Sequence, residues 1–227
     1  LLNIRKSDLV GINVTVPYKE LVIPMVDYLE DSAKKIGAVN IITINNDGRL
    51  IGSNSDSFGF IENLNHYYPK LDLKDKFCTV LGSGGAARAV IHSLQEVGVK
   101  KIFIMSRNID KAKYLVKEFG FPCEVINWDD KKTAYKDISL LVNATPMGMP
   151  DIPLEDIKLN YLPSSTIVYD LVYSNNYTPL IKEAISYNYR ALDGLGMLLY
   201  QAIPAFNKWF EKKPTVTEDL RKFVLRK

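Results

Sequence analysis

The run Gly82-Ser83-Gly84-Gly85-Ala86-Ala87 constrains this chain more than any other feature. It follows a short apolar stretch, Phe77–Leu81, and leads into a helical pattern over 86–97 and a second apolar stretch at Lys101–Met105. This is G-x-G-x-x-G/A between a strand and a helix, inside a βαβ unit. Glycine suits these positions because the turn is tight and the backbone must come close to a pyrophosphate. The helix that follows then offers free N–H groups and the positive end of its dipole. A glycine-rich turn with no ligand is the competing reading, and the surrounding strand–loop–helix–strand grammar weighs against it.

The same grammar continues downstream. A helix is expected over Asp110–Phe119, with strands near Cys123–Ile126, Leu140–Asn143 and Thr166–Asp170. Strands alternating with helices imply an α/β chain with a doubly wound parallel sheet of Rossmann type. An NAD site of this kind usually places Asp or Glu at the end of the second strand, about 20 residues on, to hold the ribose 2′-hydroxyl. Here that position reads Ser106-Arg107-Asn108, with no acid. An arginine suits a 2′-phosphate through charge-assisted, bidentate hydrogen bonds, so NADP is expected rather than NAD. Lys111 would add positive charge. The competing reading of Arg107 is a solvated surface side chain.

The first 76 residues follow a different pattern. Alternation over Val10–Val16 predicts a strand, and apolar spacing over Lys19–Leu29 predicts a short helix despite Pro24. Ile41–Ile44 and Leu50–Ile51 flank Asn46-Asp47-Gly48, a hairpin signal. A helix is expected over Ser57–Tyr68, then a polar linker over Pro69–Lys76. Helices are expected again over Met197–Phe210 and Thr215–Leu225, the latter with Thr215-x-x-Glu218 as a capping box.

Bulk properties exclude several classes. With 47% hydrophobic and 24% charged residues, the 227-residue chain reads as globular, in one large domain or two small ones. A net charge of +3 is too small and too evenly spread for a nucleic-acid surface. No apolar run approaches the ~20 residues that span a bilayer. Cys78 and Cys123 make no C-x-x-C, and His66 and His92 stand alone, so neither a disulfide framework nor a metal site is expected. A soluble, cytoplasmic protein is the expectation. The chain opens at Leu1 rather than Met, which reads as a fragment, a processed chain or an incomplete record.

Three polar elements are hard to explain as packing. Gly11-Ile-Asn13-Val-Thr15-Val-Pro17-Tyr-Lys19 sets a lysine beyond a strand end. Gly37-Ala-Val-Asn40 sets an amide before the next strand. Gly52-Ser-Asn54-Ser-Asp56 sets a carboxylate after the hairpin. A lysine beside an aspartate offers a proton donor near a carbonyl, with the carboxylate orienting it. A surface Lys–Asp pair of little energetic weight fits the spacing equally well.

These motifs, taken in order, resemble those of the shikimate dehydrogenase family. Gly11–Lys19 reads as G-x-N-V-T-x-P-x-K and is followed by Ala38-Val39-Asn40 and Asn54-x-Asp56. The cofactor loop Gly82-x-Gly84-Gly85-Ala86 and Asn143-Ala144-Thr145-Pro146-Met147-Gly148 come next. Asp170-Leu-Val-Tyr173 with Thr178-Pro179, and Asp193-Gly194-Leu195-Gly196-Met197-Leu198 with Gln201, complete the set.

The resemblance implies NADPH-dependent, reversible reduction of 3-dehydroshikimate to shikimate, a step toward aromatic amino acids. It implies Lys19 and Asp56 as the catalytic pair, and Asn40, Tyr173 and Gln201 as substrate-binding residues. Cofactor binding would fall to Gly82, Ser83, Gly84, Gly85, Ala86, Ser106, Arg107, Asn143, Thr145, Met147 and Gly194. It further implies a discontinuous substrate domain over 1–56 and 194–227 around an NADP-binding domain over 57–193, with no metal, no nucleic-acid partner and no membrane. A homodimer stays open. Packing readings stay open for Tyr173 as a core tyrosine, for Met147 and Met197 as gap-fillers and for Gln201 as a surface amide.

The family's opening strand–helix–strand segment, with its S-x-S-P-like serines for the substrate carboxylate, is not in this sequence. The expectation is therefore a chain that binds NADP, handles shikimate poorly and aggregates through an exposed sheet edge. Three readings follow: an NADP-dependent shikimate dehydrogenase, a relaxed quinate/shikimate dehydrogenase, or an NADP-binding module without turnover.

Overall fold

The computed structural model describes residues 2–225, so the outer ends of the expected domain ranges, at 1 and at 226–227, lie outside the described residues. The first strands are β1 (Gly11–Asn13), β2 (Tyr28–Leu29), β3 (Ile41–Ile44) and β4 (Leu50–Ser53), with helix α1 (Asp31–Ile36) between β2 and β3. They form one sheet in the order β1-β3-β4-β2. β3 and β4 are the expected hairpin, pairing Ile44 with Leu50 and Ile41 with Ser53. β1 lies antiparallel to β3, and β2 parallel to β4. Val22, Ala33, Val39, Ile42 and Leu50 close a small core on this sheet.

Two expectations fail here. The alternating run Val10–Val16 yields only the three residues of β1, and Val16 is 65% exposed. Past Val14 the chain leaves the ladder toward Pro17, which has no N–H to contribute. The helix expected over Lys19–Leu29 is replaced by turns, a 3₁₀ turn at Ile23–Met25 and strand β2. Pro24 has no N–H to donate and in an α-helix its ring would crowd the carbonyl of Glu20, so the segment takes only a short 3₁₀ turn with the proline in its first turn. Leu21 and Met25, part of the apolar spacing, are exposed.

The remaining elements up to residue 192 alternate. They are α2 (Asp56–Tyr67), β5 (Phe77–Leu81), α3 (Gly85–Glu96), β6 (Lys101–Met105), α4 (Ile109–Phe119) and β7 (Cys123–Ile126). Then come α5 (Lys131–Ala134), β8 (Ile138–Asn143), β9 (Ile167–Asp170), α6 (Pro179–Ser186) and β10 (Arg190–Leu192). All six strands are parallel, in the order β10-β9-β8-β5-β6-β7. The central strands are mostly apolar on both faces because helices cover both sides of the sheet. β8 shows the division: Leu140 and Val142 enter the core beneath α3, and Leu141 enters the core on the opposite face. This is the expected doubly wound sheet. Strand order reverses between β5 and β8, which opens a crevice at the strands' C-terminal ends.

Two helices follow, α7 (Leu195–Phe210) and α8 (Glu218–Val224). α7 runs so close to α2 that a Cβ added at Gly59 would lie 2.6 Å from the Met197 carbonyl oxygen and 2.8 Å from Gln201 Cβ. The capping box expected at Thr215 does not form. Thr217 caps α8 instead, its hydroxyl accepting from the Leu220 N–H at 3.1 Å, because Thr217 immediately precedes the helix and Thr215 lies two residues too early.

Candidate active site

The first cleft, of about 390 Å³, lies over the glycine loop at the strand-order reversal. Gly82 has φ 111°, and a Cβ there would lie 3.0 Å from the Ala144 carbonyl oxygen, so both backbone and space demand glycine. A Cβ at Gly84 would meet nothing within 4 Å. That open cradle sits at the N-terminus of α3, where free N–H groups and the helix dipole favour an anion. The residues present therefore fit the pyrophosphate of a dinucleotide.

Gly82, Ser83, Gly84, Gly85, Ala86, Ser106, Arg107, Thr145 and Met147 all line this cleft. Ser83 and Ser106 join β5 and β6 through hydroxyls 3.0 Å apart. Arg107 is exposed and donates to Glu155 Oε1 at 3.1 Å, and Lys111 donates to Glu20 Oε1 at 2.9 Å. Both cations border the cleft at the end of β6, where a 2′-phosphate would need them.

Two expected cofactor residues lie elsewhere. Asn143 is fully buried at the end of β8, where its amide donates to Asp170 Oδ1 at 2.8 Å and to the Met147 carbonyl at 3.1 Å. Its own oxygen accepts from the Thr145 N–H at 3.1 Å and hydroxyl at 2.6 Å. Every polar atom of this side chain shapes the loop over 144–148, and none faces the cleft. Gly194 borders the second cleft instead, with its backbone so close to Leu171 that a Cβ would lie 1.9 Å from the Leu171 carbonyl oxygen. Asp170 accepts from the Thr178 hydroxyl at 2.6 Å and the Val172 N–H at 3.1 Å, and burial pushes its pKa up to about 6.

The second cleft, of about 350 Å³, is bordered by Lys19, Asn40, Asp56, Tyr173 and Gln201, and meets the first at Lys19 and Ala86. Lys19 Nζ donates to Asp56 Oδ2 at 2.5 Å. The Asn40 amide donates to Asp56 Oδ1 at 2.9 Å and to Gln201 Oε1 at 3.0 Å. Asn40 Oδ1 accepts from the Ser55 N–H at 2.9 Å, and the Ser55 hydroxyl donates to the Gln201 carbonyl at 2.7 Å. Asp56 is buried as the first residue of α2, where the helix N-terminus favours its charge, and its N–H donates to Asn54 Oδ1 at 2.8 Å. The Lys–Asp pair is thus no surface contact: the side chains of Lys19 and Asp56 are 14% and 4% exposed. A buried carboxylate held by an ammonium and an amide can orient a proton donor toward bound substrate. Tyr173 is 43% exposed and stands at the rim, which removes the core reading. Gln201 is tied into the cluster rather than lying on a free surface. Met147 is 1% exposed and packs in the core while touching the first cleft.

Several bordering residues were not singled out. Asn13 and Thr15 line the second cleft, and Asn108 and Trp128 the first. Asn13 and Thr15 stand within the motif ending at Lys19, so their pattern was visible. Trp128 follows β7 with no motif around it, and only the sheet order brings it to the cleft. Among the described residues no group of three His, Cys, Asp or Glu is arranged to hold a metal, and no helix is long and apolar enough to cross a membrane.

Comparison with known proteins agrees with this arrangement. Residues 1–42 match the family model of the shikimate dehydrogenase substrate binding domain, and residues 65–195 match that of shikimate / quinate 5-dehydrogenase. Shikimate dehydrogenase (NADP(+)) of Paramagnetospirillum magneticum is 41% identical over 215 residues, covering 95% of this chain and 78% of that relative. The crystal structure of shikimate dehydrogenase from Aquifex aeolicus superimposes with a TM-score of 0.87 at 37% identity, covering 100% of this chain and 80% of the other. Shikimate 5-dehydrogenase from Thermus thermophilus, in complex with NADP(H) and shikimate, gives 0.81 at 33% identity over 94% of this chain and 77% of its own. With the relatives' identity sustained across nearly its whole length, this chain belongs to the shikimate dehydrogenase family.

Proposed function

We propose that this chain is an NADP-dependent shikimate dehydrogenase that interconverts 3-dehydroshikimate and shikimate, with Lys19 as its acid/base. The carrying observation is the place of Lys19: it borders both clefts, and its ammonium meets the buried Asp56 carboxylate that lines the second. When bound, NADPH supplies the hydride. In the reductive direction Lys19 Nζ gives its proton to the substrate's carbonyl oxygen as that becomes a hydroxyl, and regains a proton from water. Asp56, itself held by the Asn40 amide, keeps the ammonium in place, while Asn40, Gln201 and Tyr173 bind substrate hydroxyls. Gly82, Gly84, Gly85 and Ala86 hold the pyrophosphate beside Ser83, and Arg107, with Ser106 beneath it, takes the 2′-phosphate. Thr145 and Met147 border the cofactor on a loop that Asn143 holds, and Gly194 lets the backbone close the substrate side.

The same proposal divides the chain into a substrate domain, 1–56 and 194–227, and an NADP domain, 57–193. In support, Lys19, Asn40, Asp56 and Gln201 fall in the first and the glycine loop in the second. A homodimer and a cytoplasmic setting belong to the proposal too, and light scattering tests the first. The deciding experiment is absorbance in the NADPH band with shikimate plus NADP, run beside NAD and beside quinate. Shikimate-dependent NADPH formation supports the proposal. Comparable rates with quinate or NAD favour the relaxed quinate/shikimate enzyme. NADP binding without turnover leaves a binding module.

A further inference from the structure

The helix that begins at the glycine loop carries a buried cation that the reaction does not use. Arg88, one turn into α3, is 4% exposed. Its Nη1 donates to the Ile36 carbonyl at 3.1 Å and to Glu118 Oε1 at 3.0 Å, and its Nη2 donates to Glu118 Oε2 at 2.6 Å. The guanidinium thus reaches from α3 across to the C-terminus of α1, where a positive charge is favoured, and back to α4. Gly37 leaves the room: with φ 69°, a Cβ there would lie 2.3 Å from Nη1. The remaining nitrogen, Nε, is buried without a hydrogen-bond partner and faces Glu20 Oε2 at 3.7 Å. The other oxygen of Glu20 accepts from Lys111 at 2.9 Å.

Glu20 is the residue after Lys19, and the Lys19 carbonyl accepts from the Val39 N–H at 2.8 Å, one residue before Asn40. Both arms of the substrate cluster, 19–20 and 36–40, are therefore tied to one guanidinium on the cofactor-loop helix. The lysine's base also has little slack, since a Cβ at Gly85 would lie 3.1 Å from Lys19 Cβ. A long, flexible side chain delivers its tip to a fixed point only if its base is fixed.

We propose that Arg88 and Glu20 are positioning residues for the reaction, their contact locking the backbone of Lys19 against the glycine loop so that its ammonium meets Asp56 where the two clefts join. This rests on Lys19 being the acid/base. The charges match the role: Arg88 and Lys111 face Glu20 and Glu118, two cations against two carboxylates, so the buried guanidinium is compensated.

The test is Glu20→Gln in the full chain, which keeps the shape, removes the charge and sits at a partly exposed side chain. Hydrogen exchange read by mass spectrometry should show the amides of 18–22 and 37–40 exchanging about fivefold faster or more, with β5, β6 and β8 unchanged. In turnover, kcat should fall about tenfold while KM for shikimate stays within about threefold. Unchanged exchange in those two segments, or unchanged kcat in the folded variant, overturns the proposal. So does protection lost evenly along the chain, which marks a merely structural contact. Lys19→Ala separates the layers. If it still turns over, the acid/base reading falls and this inference with it; if it is inactive while Glu20→Gln keeps full kcat, only the positioning role fails.

Discussion

Lys19 cannot be exchanged for a neutral side chain without leaving Asp56 buried beside only an amide. Lys19→Ala is therefore expected to lower kcat by about 10²–10⁴-fold, the usual worth of a positioned acid/base, while NADP binding survives at the other cleft. NADPH absorbance and a binding titration check the two halves. Arg107 poses a different question, since Glu155 holds it in the free protein. That pair is exposed and worth little, so a phosphate displaces it readily. Arg107→Ala should weaken NADP binding about tenfold or more and leave NAD binding unchanged, which side-by-side titrations measure. Asp170 bears on stability. Its carboxyl titrates near about 3.9 in an unfolded chain and at about 6 in the folded one, so the folded state holds the proton more tightly. The resulting stabilisation is complete below about pH 4 and is lost as pH rises through about 6. Urea midpoints compared with Asp170→Asn across pH 4–7 should show this decline in the parent alone. Among single residues, Lys19, Asn40 and Asp56 were legible because each closes a short motif. Glu155 and Arg88 were not, because their partners lie 48 and 30 residues away and no spacing rule links them.

Among the elements, the approach of α2 and α7 governs the substrate cleft, because it carries Gln201 to Asn40. Gly59→Val would drive methyl groups into the Met197 carbonyl and Gln201 Cβ. Overpacking of this kind costs about 1–3 kcal/mol, which urea unfolding would register, and shikimate binding should weaken more than NADP binding. Five strands of the parallel sheet were readable from apolar runs between glycine and polar segments, and β6 and β7 fall at their expected bounds; β10 was not, because three residues opening on Arg190 make no apolar run. The region before Asn40 was misread for a physical reason. Apolar spacing over 19–29 imitates a helix, and one proline outweighs it. Helix α1 was missed because six residues with only Ala33 and Ile36 buried carry too little periodicity to register.

Over the whole molecule, the order of motifs indicates a substrate part and a cofactor part, but not that one lysine borders both clefts. The parallel sheet was legible as a class from strand–helix alternation; its order, with β5 between β8 and β6, was not, because pairing depends on which faces the helices cover. The hydrogen bond from Asn40 to Gln201 joins residues 161 positions apart. At 5–20 residues per second, a ribosome takes roughly 8–30 s to make the chain between them. Throughout that interval the new chain holds Asn40 and Asp56 with no α7 to cover them. The glycine loop, β6 and the loop over 144–148 that line the first cleft are all made before α7, so the cofactor side of the molecule is synthesised well ahead of the last wall of the substrate cleft.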